Sequence, residues 1–168
     1  MEKITGKAEK ILVFLMHQDR DKIWDLSIHR QKRSLSQNSY YWQLLGKTAA
    51  ALKIGRAELH NRMLRDYGQI QWIDGHPVTV EIPDTDKAEE MALKADTFHI
   101  KPTDQIIEKG GQTYRVYIML RGSHEYNTWE MSVLLNGMVQ EAENVGIETM
   151  TPKELEELRE YEEKHHHK

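Results

Sequence analysis

The sequence predicts an α+β fold, antiparallel hairpins packed with several helices in a single compact domain. Three observations carry that prediction. Short β-prone runs are separated by polar turns at hairpin spacing, apolar residues recur at helical spacing in the longer segments, and glycine, proline or a capping box stands at most element ends. The 168 residues suffice for one core without staples, and the absence of cysteine rules out a disulfide framework, a thiolate zinc site and a cysteine nucleophile.

The elements follow in order. Lys10 to Met16 and Lys22 to Ile28 are β-prone runs around the polar turn His17–Asp21 and predict an antiparallel hairpin. Ser34-Leu35-Ser36-Gln37 has capping-box spacing, so a helix is expected to start there. Tyr41, Leu45, Thr48 and Leu52 form its buried stripe, Tyr40, Gln43 and Lys47 its opposite face, and Gly55 its end. A second helix over Arg56 to Tyr67 turns Leu59 and Met63 inward and stops at Gly68. Gln69 to Ile73 and Val78 to Ile82 predict a hairpin around Asp74-Gly75, kept near a sheet edge by Pro77 and Pro83. Asp86 to Ala95 suits a short helix. Gln105 to Glu108 and Thr113 to Leu120 flank Gly110-Gly111 as the clearest hairpin, with Tyr114, Val116, Ile118 and Leu120 alternating against Arg115, Tyr117, Met119 and Arg121. A long helix over Asn127 to Val145 presents Met131, Leu134, Leu135, Met138 and Ala142, and Gly146 closes it. Thr151-Pro152-Lys153-Glu154 is a second capping box. The expected organisation is an α+β body over residues 1–150 and an acidic C-terminal helix and tail over 151–168. The longest apolar run, Ile11 to Met16, is too short for a bilayer, and the first residues lack signal-peptide order, so the expected location is the cytoplasm, with no membrane partner.

The net charge of -4 conceals an uneven distribution. Between Ser27 and Arg65 stand Arg30, Lys32, Arg33, Lys47, Lys53, Arg56, Arg62 and Arg65 against the single acid Glu58, a surplus of seven positive charges. From Ser123 onward, eleven acids face four bases. Polyanions respond to the local field within a Debye length of about 8–10 Å, so the basic third of an acidic chain can hold phosphate.

Motifs for covalent chemistry are missing: there is no Gly-rich phosphate loop, no Gly-x-Ser-x-Gly turn and no His-Glu-x-x-His pair. His60-Asn61 lacks an acidic or histidine partner at useful sequence spacing and reads as a surface or capping pair. Asp84 and Asp86 read as helix-capping residues, and the His165–His167 tract has no closed coordination shell. No catalytic residue, metal site or cofactor is therefore expected.

The most specific stretch is Arg33-Ser34-Leu35-Ser36-Gln37-Asn38-Ser39-Tyr40-Tyr41-Trp42. It resembles the signature of the NinB family of phage recombination proteins, Arg-Ser-Leu-x-Gln-Asn followed four residues later by tryptophan. Arg121-Gly122-Ser123, Glu130-Met131, Leu134, Ala142 and Gly146-Ile147 resemble the family's later part, and the likeness covers about half the chain, with residues 69–112 outside it. The resemblance implies a bacteriophage or prophage homodimer that binds single-stranded DNA with little sequence preference. Such a protein helps a recombinase, a strand-exchange or annealing protein, to load beside the host single-strand-binding protein, without catalysis. Single strands need a basic groove and flat rings for stacking. The expected DNA contacts are Arg30, Lys32, Arg33, Tyr40, Lys47, Arg56, Arg62 and Arg121, while Ser34, Gln37, Asn38 and Trp42 are expected to be structural. Two readings of other classes stand beside this one: a metal-dependent phage nuclease using histidines and aspartates of the middle region, and a protein-binding adaptor working through the acidic C-terminal helix.

Overall fold

The computed structural model describes residues 6–19, 21–24 and 35–165. The fold class is α+β, as expected. The chain divides into an N-terminal unit, Met1–Arg30, and a larger unit, Gln31–Lys168.

In the N-terminal unit the expected first strand is instead helix α1 (Ala8–Met16). A continuous apolar run does not distinguish strand from helix, and Ala8, Glu9, Lys10, Leu12, Leu15 and Met16 are all strong helix formers. The backbone closes its hydrogen bonds locally, with His17 Nδ1 bonded to Val13 O at 2.8 Å. Phe14 packs edge-to-face on Trp24, ring centroids 5.4 Å apart. Lys22 to Trp24 form no strand, and the rest of the expected partner, from Asp25, lies outside the described residues.

The larger unit opens with α2 (Leu35–Leu52), then α3 (Arg56–Tyr67). Tyr41, Leu45 and Thr48 are fully buried, as the helical spacing predicts. The turn between the helices differs from expectation. Lys53 takes the left-handed conformation (φ 57°), whereas Gly55 is extended and caps the start of α3. Strands β1 (Trp72–Ile73) and β2 (His76–Pro77) form a two-residue ladder around Asp74-Gly75, both at positive φ. The run expected as the hairpin's second arm continues into β3 (Thr79–Pro83), which pairs with another strand. Helix α4 (Asp86–Leu93) is capped by Thr85, whose hydroxyl accepts from Ala88 N. The long hairpin β4 (His99–Lys109) and β5 (Gln112–Leu120) completes an antiparallel sheet of order β3-β5-β4. Its prolines, Pro83 and Pro102, lie on the two edge strands, where a missing N–H is tolerated.

After a 3₁₀ turn, η1 (Ser123–Glu125), helix α5 (Thr128–Asn144) starts from a capping box: Glu130 N donates to Asn127 Oδ1 and Asn127 N to Glu130 Oε2. Its stripe Met131, Leu134, Leu135, Met138 and Ala142 is buried against α2 and α3. Gly146, at φ 78°, ends the segment. Helix α6 (Pro152–His165) begins at the expected second box, with Thr151 N donating to Glu154 Oε2 at 2.7 Å. Leu155 packs against the main core. A smaller core of Ala92, Ile100 and Tyr117 lies between α4 and the sheet.

Candidate nucleic-acid interface

The basic residues of the sequence separate into two groups once folded. Arg62 pairs with Glu58 at 2.6 Å within α3. Arg65 binds Glu89 and donates to Ile100 O, joining α3 to α4 and β4. Glu89 also accepts from the Tyr117 hydroxyl at 2.6 Å. Burial alone would raise the Glu89 pKa, but the bonds from Arg65 and Tyr117 and the neighbouring guanidinium charges hold it below the ordinary carboxylate range. Lys47, Lys53 and Arg56 remain exposed. Arg30, Lys32 and Arg33 lie outside the described residues, as does Ser34.

Arg121 is not a surface contact. Its side chain is 8% exposed, ion-paired with Glu130 and placed over the Tyr126 ring at 5.4 Å. The strand ends at Leu120, and the chain turns the Arg121 guanidinium toward the first turn of α5. Tyr40 also departs from its expected role. Its hydroxyl accepts from Met150 N at 2.7 Å, and its ring packs against the core, so it anchors the α5–α6 connection. Gln37 is buried and Asn38 half-buried on α2.

The ring that meets a cleft is Trp42. A cleft of about 490 Å³ is lined by Trp42, Arg56, His60, Asp96, His99 and His124, among others. Trp42 also touches the main core, so it combines packing with an accessible face. Arg56, in the first turn of α3, reaches back across α2 and donates from one guanidinium nitrogen to Trp42 O at 3.1 Å. Gly46 makes room for it, since a Cβ there would come within 3.3 Å of that nitrogen. The isolated glycine inside a helical pattern is the sequence signal that marks this close approach.

The surface or capping role expected for His60-Asn61 is overturned. His60 is buried, hydrogen-bonded to the Tyr41 hydroxyl at 2.7 Å, and packed on the Trp42 ring at 4.7 Å between centroids. Its ring meets that of His99 edge-on at 5.3 Å, a partner 39 residues along the chain that sequence spacing could not reveal. Burial, then the nearby His99, pushes the His60 pKa down to about 3, so the ring stays neutral. Burial likewise raises the Tyr41 phenol, reinforced by Tyr126. Asn61 Nδ2 donates to Leu93 O at 2.7 Å and Ala95 O at 2.8 Å, fixing the α4–β4 loop against the cleft. Asp84 pairs with Arg115 rather than capping, and Asp86 lies in the first turn of α4 beside the actual cap, Thr85.

Among the described residues no cluster of three His, Cys, Asp or Glu side chains is arranged to hold a metal ion, and no helix is long and apolar enough to cross a membrane. No family model matches the chain, and neither a curated protein nor a solved structure matches it.

Proposed function

We propose that the chain is a phage-type accessory protein of DNA recombination in the cytoplasm of a bacterial host, one that binds single-stranded DNA as a homodimer and assists loading of a strand-exchange or annealing protein. The observation that carries this reading is the cleft in which the Trp42 ring and the Arg56 guanidinium stand together, with Lys47 and Lys53 exposed on the same helix–turn–helix segment. A ring supplies a stacking face for any base and the cations follow the phosphates, which is what binding without sequence preference requires. From Leu35 to Trp42 the motif lies within α2. The acidic helix α6 supplies the opposite charge, suited to a protein partner rather than to the strand.

The test is fluorescence anisotropy of a labelled oligonucleotide at two salt concentrations, followed by incubation with magnesium or manganese. Retention that weakens steeply with salt, with the DNA intact, supports the reading. Protein-dependent cleavage puts the metal-dependent nuclease in its place, and absence of salt-sensitive retention favours the protein-binding adaptor.

A further inference from the structure

The Asn61 amide fixes the tautomer of His99. Because Asn61 Nδ2 donates to two backbone carbonyls, Oδ1 is the atom 2.6 Å from His99 Nδ1, and an amide oxygen can only accept. The His99 ring therefore carries its hydrogen on Nδ1 and leaves its lone pair on Nε2. An imidazole anchored in this way can bind a second proton without giving up its support.

The groups around it come from three elements. His60 and Asn61 face it from α3, Asp96 from the α4–β4 loop and His124 from η1, while Arg56 lines the same cleft from the first turn of α3. Burial lowers the His99 pKa, His124 lowers it further, and Asp96 opposes both. The His124 ring is 76% exposed, with a Glu125 carboxylate oxygen 3.6 Å away. Among the described residues Asp96 is the only acid lining the cleft, against Arg56 and three imidazoles. An oxyanion entering there would meet one permanent cation and two imidazoles able to become cations, with His60 excluded because its ring is buried and bonded to Tyr41.

We propose that this cleft is a phosphate subsite in which Arg56 supplies the fixed charge while His99 Nε2 and His124 bind protons as the oxyanion enters. The inference rests on the nucleic-acid reading for the source of the phosphate, a strand's phosphodiester, and extends it to proton-linked binding.

Two measurements on the full chain test it. In the first, the affinity for a thymidine oligonucleotide is followed from pH 6 to pH 8 at constant ionic strength, in the wild type and in His124→Gln, whose exposed side chain makes the substitution safe for folding. Affinity should fall as pH rises, by up to about tenfold per pH unit for each proton taken up, and His124→Gln should flatten the slope. In the second, the histidine C2–H resonances are titrated with and without inorganic phosphate, and phosphate should raise the midpoints of two imidazoles, one of them missing in His124→Gln. Salt-sensitive DNA binding of equal affinity at pH 6 and pH 8 would overturn the subsite while leaving the DNA reading intact. No DNA binding at any pH would overturn the DNA reading; midpoints that still rise with inorganic phosphate would then support the subsite for a smaller phosphorylated ligand, and unmoved midpoints would overturn it too.

Discussion

Replacing Arg121 with alanine separates a structural cation from a DNA-binding one. Arg121 was the one expected contact outside the basic segment, and the fold buries it: the side chain is 8% exposed, and its partner Glu130 is 18% exposed. Removing one member of a buried pair generally costs about 3–5 kcal/mol, because the other charge is left desolvated. Glu130 keeps its bond from Asn127 N, which favours the lower end, about 3 kcal/mol. At about 2–4 °C per kcal/mol for a chain of this size, Tm should fall by roughly 6–12 °C. Arg121→Ala with Glu130→Gln should recover part of that loss, since the stranded charge is gone. Below the transition, Arg121→Ala should bind a single-stranded oligonucleotide within about twofold of the wild type, because its guanidinium faces α5 and not the cleft. The assays are thermal unfolding by circular dichroism and anisotropy at 20 °C. An unchanged Tm together with a tenfold loss of affinity would refute the reasoning and return Arg121 to the DNA surface.

Other consequences are equally direct. Arg56→Ala combined with Lys47→Ala should weaken strand binding and flatten log affinity against log salt by about 0.7 for each phosphate no longer neutralised, with little change in Tm, read by anisotropy across a salt series. Gly137→Ala should lower stability by about 1–2 kcal/mol in chemical denaturation, since the new Cβ would lie 2.4 Å from the Tyr67 ring and the overpacking outweighs the gain in helix propensity. For His60 the sign is set by a folded pKa near 3 against an ordinary 6.5: the unfolded chain binds a proton that the folded one refuses. Its contribution is therefore complete above about pH 6.5 and is lost as pH falls toward 3, by up to about 1.4 kcal/mol per pH unit, and His60→Gln should remove that slope from the pH dependence of unfolding. Truncation after Met150 should lower Tm, because Leu155 leaves the core and Arg159 leaves the face of Trp129, while strand affinity holds or rises as the acidic helix departs.

Local signals determined much of the fold, because they act between residues near in sequence. The spacing of Tyr41, Leu45 and Thr48 identified the buried side of α2, and that of Met131, Leu134, Leu135, Met138 and Ala142 did so for α5. The box at Thr151 marked the start of α6, and Gly110-Gly111 marked the turn of the long hairpin. Helical capping and tight turns are satisfied within three or four residues, so the chain states them openly. The failures were also physical. The apolar run before Met16 has no period to separate strand from helix, and β3 found its partner in β5 rather than across the nearest turn, because pairing depends on which apolar faces remain to be covered. The charge count located the basic segment but not which cations stay available, since that depends on acids brought in from elsewhere: Glu89 takes Arg65, and Glu130 takes Arg121. The cleft was the least legible feature. Trp42, Arg56 and His60 lie close together in sequence, but His99 and His124 join them only when α3, the sheet and η1 pack around the core. Tertiary structure therefore decided the candidate site, because a side chain's ionisation and accessibility depend on neighbours that stand far away along the chain.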